Sequence, residues 1–323
     1  MSAGNLISCC GNWFDSNPVH QFIGDLMKVI DSHNLPSPIF EAIKDDPYSR
    51  GEKANISVTE LNTPPLLRQL LARKGDEIEV EAIDLMWALD GKAMHHLLER
   101  GAAHLDPATH MVEHRFYHTI DGYTLSGQAD MIYLKEKKLQ DYKRVLASAR
   151  KYGAKDDWVK QLNVYRWLAK VSENIDIDVL EVCAWYKDWS KEKLEHDANH
   201  PETPIEIFPI EVWPLATTER WVRERIRLHQ EADIVDLDKV QPCTGEDKWE
   251  RGTGFAIKNK FKDRALKIIA SGGRKAVNEW ITLNVNTRDM ANIVVEDREG
   301  KPMRCQRYCA ARFKCAFGKQ WAQ

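Results

Sequence analysis

The chain reads as a mixed α/β protein: a central sheet flanked by helices, preceded by a helical appendage and followed by a basic, cysteine-bearing region. Three observations predict this. Between residues 56 and 233 the periodic segments run helix, three strands, helix, two strands, helix, an order that builds a sheet with helices packed on it. Hydrophobic residues make up 43% of the 323 and charged residues 29%, and Gly with Pro number only 30, which excludes a fibrous or disordered chain and leaves enough apolar surface for a sizeable core. The net charge of −3 hides an asymmetry, because residues 251–275 carry a net of +7 and residues 301–323 a net of +6. A basic C-terminal third on an acidic body points to a polyanionic partner.

Taken in order, residues 1–55 form the appendage. Val19 to His33 has helical spacing, and Asn34, Pro36 and Pro38 end it; Pro38 to Asn55 reads as loop. The body, residues 56–233, opens with Ser57-Val58-Thr59-Glu60, a capping start interrupted by Pro64-Pro65. Leu66 to Lys74 is a helix, and Ile83 to Ala103 a longer one with Leu85, Leu89, Ala93 and Leu97 near one face. Met111 to Ile120 and Tyr123 to Leu134 are strands joined by the hairpin turn Asp121-Gly122. Leu139 to Leu146 is a third strand, Asp156 to Lys170 an aromatic-rich helix, and Val179 to Trp185 and Ile205 to Trp213 further strands. Thr217 to Ala232 is an amphipathic helix capped by Thr217 or Thr218. Residues 234–323 are the basic region.

No stretch approaches the ~18 apolar residues of a membrane helix, and the opening MSAGNLISCCGNWF lacks a signal peptide's basic and apolar regions. Seven unevenly spread cysteines argue against a secreted disulfide framework, so a reducing cytosol is the expected compartment.

The chemistry concentrates in Gly127-Gln128-Ala129-Asp130 and Gln140-Asp141-Tyr142-Lys143. Asp141 and Lys143 are two apart on a strand and share a face. With Asp130 on the neighbouring strand, two carboxylates and a lysine converge at a sheet edge, a natural seat for a divalent cation. The lysine orients or deprotonates an attacking water and neutralises charge developing on a phosphate. His95 follows small residues, Ala88 and Gly91, on one helix face and offers a further ligand nitrogen. Gln161 and Tyr165, four apart on a helix and flanked by Lys160, offer an amide and a phenol to phosphate or base atoms; Tyr165 reads equally as a core aromatic.

In order, Gly91-x3-His95, Gly127-x2-Asp130, Asp141-x-Lys143 and Gln161-x3-Tyr165 resemble the PD-(D/E)XK nuclease superfamily, in the RecB-like branch that includes phage recombination exonucleases and CRISPR-adaptation nucleases. Each motif alone is weak, and the ordered set, across residues 56–190, is specific. The resemblance implies a restriction-endonuclease-like core and a Mg²⁺- or Mn²⁺-dependent deoxyribonuclease, an exonuclease on DNA ends in recombination, repair or phage DNA metabolism, working beside a single-strand annealing protein. His95, Asp130, Asp141 and the carbonyl of Tyr142 would hold the metal, Lys143 act on the water, and Gln161 and Tyr165 position DNA or the lysine. Glu113 is a weaker additional acid. Arg144 stands where relatives often carry a small hydroxyl residue and tunes a phosphate contact. Some relatives form rings around DNA, so a homo-oligomer stays open. A non-catalytic nucleic-acid-binding module with a structural metal is the alternative; it would lack an acid or the lysine, and all are present here.

Cys305-x3-Cys309-x5-Cys315 resembles the C-terminal cysteines that hold a 4Fe–4S cluster in several members of that branch, although the usual first spacing is two residues and the usual upstream cysteine is replaced by Thr63-Pro64-Pro65. Zinc is the alternative occupant. Cys243 is the first choice for the fourth ligand, Cys9 or Cys10 the second, and Cys183 reads as core. Lys258, Lys260 and Arg304 are candidate phosphate contacts of the basic region.

Overall fold

The structure is a computed structural model and describes residues 27–45, 51, 53–270 and 272–322. The chain divides into two compact units, Met1–Gln241 and Pro242–Gln323. In the first, β1 (Lys28–Ile30) precedes α1 (Ser37–Lys44), β2 (Ile56–Ser57), α2 (Val58–Asn62), α3 (Pro65–Lys74), β3 (Glu79–Glu81), α4 (Met86–Ala102), β4 (His110–Ile120), β5 (Tyr123–Tyr133), β6 (Lys138–Val145), α5 (Asp156–Glu173), β7 (Val179–Tyr186), α6 (Lys191–His196), β8 (Ile205–Ile210) and α7 (Leu215–Ile234). The architecture is the expected mixed sheet flanked by helices.

The central sheet is organised around β5. β4 pairs antiparallel with it along its whole length, from His110↔Tyr133 to Ile120↔Tyr123. The other edge of β5 is shared: β2 pairs parallel at Leu125 and Ser126, and β6 pairs antiparallel from Met131 to Tyr133. Gly127 to Asp130 therefore lie in a gap between two ladders. Beyond β6 the sheet continues through parallel β7 to antiparallel β8 at its edge. α5 lies on one face, its Trp158, Leu162 and Leu168 buried with Phe116, Leu125, Leu139 and Leu180 of the strands. Gly127 makes this contact possible, since a Cβ there would meet Val58, Tyr165 and Leu168 carbons at 2.8 Å. The start at Ser57 is a full capping box: Glu60 N donates to Ser57 Oγ (3.2 Å) and Ser57 N to Glu60 Oε2 (2.8 Å).

Four expectations are corrected. In the described part of the Val19–His33 segment, Lys28–Ile30 is a strand pairing parallel with β3; Val29 and Ile30 are β-branched, and Asn34 and Pro36 leave no room for helix to continue. Residues 19–26, like Cys9 and Cys10, lie outside the described residues. The 38–55 loop contains α1, because Pro38 sits in its first turn, where the missing N–H costs nothing. α4 starts at Met86 after a 3₁₀ turn, and it buries Met94 while Leu97 stays 51% exposed. α7 starts at Leu215, one position after Pro214, and Thr218 is buried inside it rather than capping it.

The second unit holds β9 (Glu250–Arg251), β10 (Gly254–Asn259), β11 (Lys267–Ile269), α8 (Gly273–Asn284), β12 (Ile293–Arg298) and β13 (Lys301–Pro302). β10 is the centre of a three-stranded antiparallel sheet, with β11 and β12 on either side, and β9 pairs with β13. A π-helical turn, Arg304–Tyr308, carries Cys305.

Candidate metal centre

The gap on β5 makes the site. The β5–β6 ladder ends at Met131↔Gln140, so Asp130 and Asp141 stand where the strands part. The Tyr142 N–H, released from that ladder, donates to Asp130 Oδ2 at 2.7 Å. On the other edge the pairs Val112↔Met131 and His114↔Ala129 put Glu113 opposite Asp130, so the two carboxyls share a face. Glu113 has a φ of 46°, in the left-handed region. From α4, His95 Nδ1 lies 3.7 Å from Glu113 Oε1 and 3.7 Å from Asp130 Oδ2. Ligand atoms of His95, Glu113 and Asp130 all lie within 4.8 Å of one another, and among the described residues no other set of three is so gathered.

Asp141 completes the group without entering that set: its Oδ2 is held by Lys143 Nζ at 2.7 Å, and its side chain is buried. The electrostatics are those of crowded carboxylates. Burial, then the Glu113 charge, pushes the Asp130 carboxyl above its ordinary range. Burial and Asp130 raise Asp141 to about 6, against the lowering pull of Lys143. Asp130, with help from Glu113, raises His95 to about 9. The cluster thus stores repulsion that a divalent cation relieves, and one imidazole nitrogen with carboxylate oxygens is a donor set that Mg²⁺ or Mn²⁺ accepts. Gly91 faces open space, since a Cβ there would meet no atom within 4 Å.

Two residues behind Glu113 escaped the sequence reading. Gln128 Nε2 donates to Glu113 Oε2 at 2.8 Å, and Arg115 Nη2 donates to Gln128 Oε1. Arg115 and Gln128 are paired across β4 and β5, one step along the same face from Glu113 and Asp130. The alternation 113, 115 against 130, 128 was the available signal, and it needs the register to be read.

The remaining predicted residues are placed as follows. Gln161 Nε2 donates to the Tyr165 hydroxyl at 2.9 Å, and the Tyr165 ring belongs to the core. Lys160 is half-buried on the same helix. Tyr142 meets His95 edge-on, ring centroids 6.5 Å apart. Arg144 is engaged within the protein: its Nε lies 3.1 Å from Asp90 Oδ2, and its guanidinium sits over Trp185.

In the second unit Lys258 pairs with Glu296 at 2.5 Å, and Lys260 lies over the Phe261 ring. Arg304 is buried, its guanidinium over Trp249 and donating to the Asp247 carbonyl, so it braces the interior instead of facing a phosphate. Cys243, Cys305, Cys309 and Cys315 feel one another electrostatically: burial, then Asp247, lifts Cys243 to about 12; burial, then the Cys309 and Cys315 thiols, lifts Cys305 to about 12; and burial, with the Cys315 thiol adding to it, raises Cys309. Cys183, half-buried on β7, stands apart in the first unit.

Three solved structures are similar at low identity. SSO0001 aligns over 65% of this chain and 96% of its own, with 17% identity and a TM-score of 0.42. A phage-related exonuclease from Haemophilus somnus 129PT aligns over 54% of this chain and 80% of its own, with 12% identity and a TM-score of 0.34. The alkaline exonuclease LHK-Exo from Laribacter hongkongensis aligns over 44% and 68%, with 11% identity and a TM-score of 0.29. No protein-family model matches the sequence, and no curated protein does. Among the described residues no helix is long and apolar enough to cross a membrane.

Proposed function

We propose that this chain is a divalent-metal-dependent deoxyribonuclease of the PD-(D/E)XK type, with a restriction-endonuclease-like core, acting as an exonuclease on DNA ends in recombination, repair or phage DNA metabolism. The observation that carries the reading is the meeting of His95, Glu113 and Asp130 beside the Asp141–Lys143 pair, at the point where β5 and β6 part. His95, Glu113 and Asp130, with Asp141 and the Tyr142 carbonyl, would hold a Mg²⁺ or Mn²⁺ ion. When bound, such an ion polarises a phosphoryl oxygen and acidifies a water. Lys143, steadied by Asp141, sets its ammonium against the negative charge that grows on the phosphate. Gln161 and Tyr165, which hold each other on α5, would position DNA or that lysine.

A 4Fe–4S cluster on Cys243, Cys305, Cys309 and Cys315 belongs to the same proposal. Four thiols in one small unit suit soft-metal ligation. Zinc, which four thiolates hold tetrahedrally, is the alternative. Anaerobic purification with iron, sulfide and zinc analysis decides between them.

The test of the activity uses end-labelled linear duplex and matched closed-circular DNA with Mg²⁺ or Mn²⁺. The expected result is digestion of the linear DNA alone, reduced at least about a hundredfold in both Asp130→Ala and Lys143→Ala. Cleavage of circles would make it an endonuclease. Binding without cleavage would leave a nucleic-acid-binding module, and activity surviving in both variants would sink the site assignment.

A further inference from the structure

The β10–β11 hairpin of the second unit carries a feature that the metal centre does not use. Residues 260–266 join the strands, and the start of the loop is pinned by hydrogen bonds. Asn259 accepts twice, its Oδ1 from Phe261 N (3.0 Å) and its carbonyl from Lys262 N (2.8 Å). Lys260 N donates to the Asn292 carbonyl (2.8 Å), which ties the turn to the loop before β12, and Leu266 N donates to the Ile257 carbonyl (2.8 Å), which extends the ladder. A turn held at these points presents its side chains in a fixed direction. One of those it presents openly is apolar: Phe261 is 77% exposed.

Its neighbours are cations. Lys258, Lys260, Lys262, Arg264 and Lys267 stand against the single acid Asp263 within ten residues. Lys258 is engaged with Glu296, and the Lys260 ammonium lies 5.0 Å from the centre of the Phe261 ring. An exposed ring in a cation-rich loop is complementary to a ligand that combines phosphates with flat apolar faces. An unpaired nucleic-acid strand has that chemistry: its bases stack on aromatic rings, and its backbone lies in reach of the cations. A greasy protein surface would meet the cations unfavourably, and a membrane would find one ring where an anchoring face needs several.

We propose that Phe261 is a stacking platform for a base of single-stranded DNA, with Lys260, Lys262 and Arg264 holding the adjoining phosphates. The choice of DNA rests on the nuclease reading above; the stacking does not depend on hydrolysis.

The test measures binding of a fluorescent oligo-dT, and of the same strand with abasic sites, to the full-length protein in EDTA over a range of salt concentrations. Phe261→Ala is expected to weaken binding to oligo-dT about 5- to 150-fold without changing the salt dependence. That loss should shrink on the abasic strand, and Phe261→Trp should restore affinity. Lys262→Ala with Arg264→Ala should instead flatten the slope of log affinity against log salt by about 1.4, at ~0.7 per phosphate contact. Equal affinity of Phe261→Ala and the parent chain, an equal loss on the abasic strand, or a Phe261-dependent attachment to anionic vesicles in place of DNA would each overturn the proposal. Because EDTA removes hydrolysis, Phe261-dependent binding alongside no cleavage of linear or circular DNA would sink the nuclease reading and leave this one standing.

Discussion

Glu113 shows how a single residue sets a local cost against a site. Its φ of 46° lies where a non-glycine backbone costs about 1–2 kcal/mol, and the strain sits beside Asp130 and His95, the other two members of the donor set. Strain at such a place is retained when the surroundings hold it, and here Gln128 holds the carboxylate. Glu113→Gly removes strain and donor together. It is expected to leave the metal-free protein as stable as the parent or more stable by about 1 kcal/mol, while abolishing the rise in melting temperature that Mn²⁺ gives the parent. Glu113→Gln keeps the strain and should lose the metal response without that gain. A fall in metal-free stability for Glu113→Gly would show that the left-handed conformation is not strained. The sequence made His95, Asp130, Asp141 and Lys143 legible because their spacings recur as an ordered set. Glu113 was legible only as a weaker additional acid and Gln128 not at all, because their part depends on strand register, where a slip of one residue sends every side chain to the opposite face.

At the scale of elements, the site exists because β5 is shared between two partners on one edge, and Gly127 sits at the seam. Gly127→Ala would press a methyl group against Val58, Tyr165 and Leu168, and the overpacking should cost about 1–3 kcal/mol. The strain falls three residues from Asp130, so metal affinity should drop as well; a variant as stable as the parent would mean that α5 moves aside freely. Asn163 is the second seam. It is fully buried, its Nδ2 donates to the Val159 and Glu211 carbonyls, and its Oδ1 accepts from Trp213 N, each at 2.8 Å. Asn163→Leu keeps the branched shape and leaves the Glu211 carbonyl and the Trp213 N–H unpaired, which should cost on the order of 3 kcal/mol in urea unfolding. Strands β4 to β8 and helices α5 and α7 were legible to within a few residues, since alternation and 3.6-residue spacing follow directly from burying one face. Lys28–Ile30 was not, because three residues carry too little pattern, and its strand identity comes from β3, about fifty residues away.

For the whole molecule, the sequence showed the charge division more readily than the acid-sensitive group beneath it. Residues 242–323 hold 17 Lys and Arg against 9 Asp and Glu, a net of +8, which leaves −11 for residues 1–241 out of the total of −3. The acidic first unit nevertheless buries a cationic corner: His229 on α7 is fully enclosed, with the Leu61 carbonyl 3.4 Å from its Nε2. Burial, then Arg225 and Arg68, lowers its pKa to about 3, against the weaker opposite pull of the Leu61 carbonyl and Asp233. Unfolded, the imidazole titrates near 6.5. Between those values the unfolded chain binds a proton that the folded chain refuses, so stability rises with pH through the window and is lost as pH falls from about 6.5 towards 3. At pH 4.5 this one group should have removed on the order of 2–3 kcal/mol relative to pH 7. His229→Gln has no proton to gain. Its urea unfolding free energy should start lower at pH 7, through poorer packing, yet fall less on acidification, by on the order of 2 kcal/mol. Equal losses from pH 7 to pH 4.5 in variant and parent would mean that His229 reaches water or a carboxylate in the folded chain; the crowded carboxyls of the metal centre, raised by burial, favour the folded chain on acidification and cannot supply the loss.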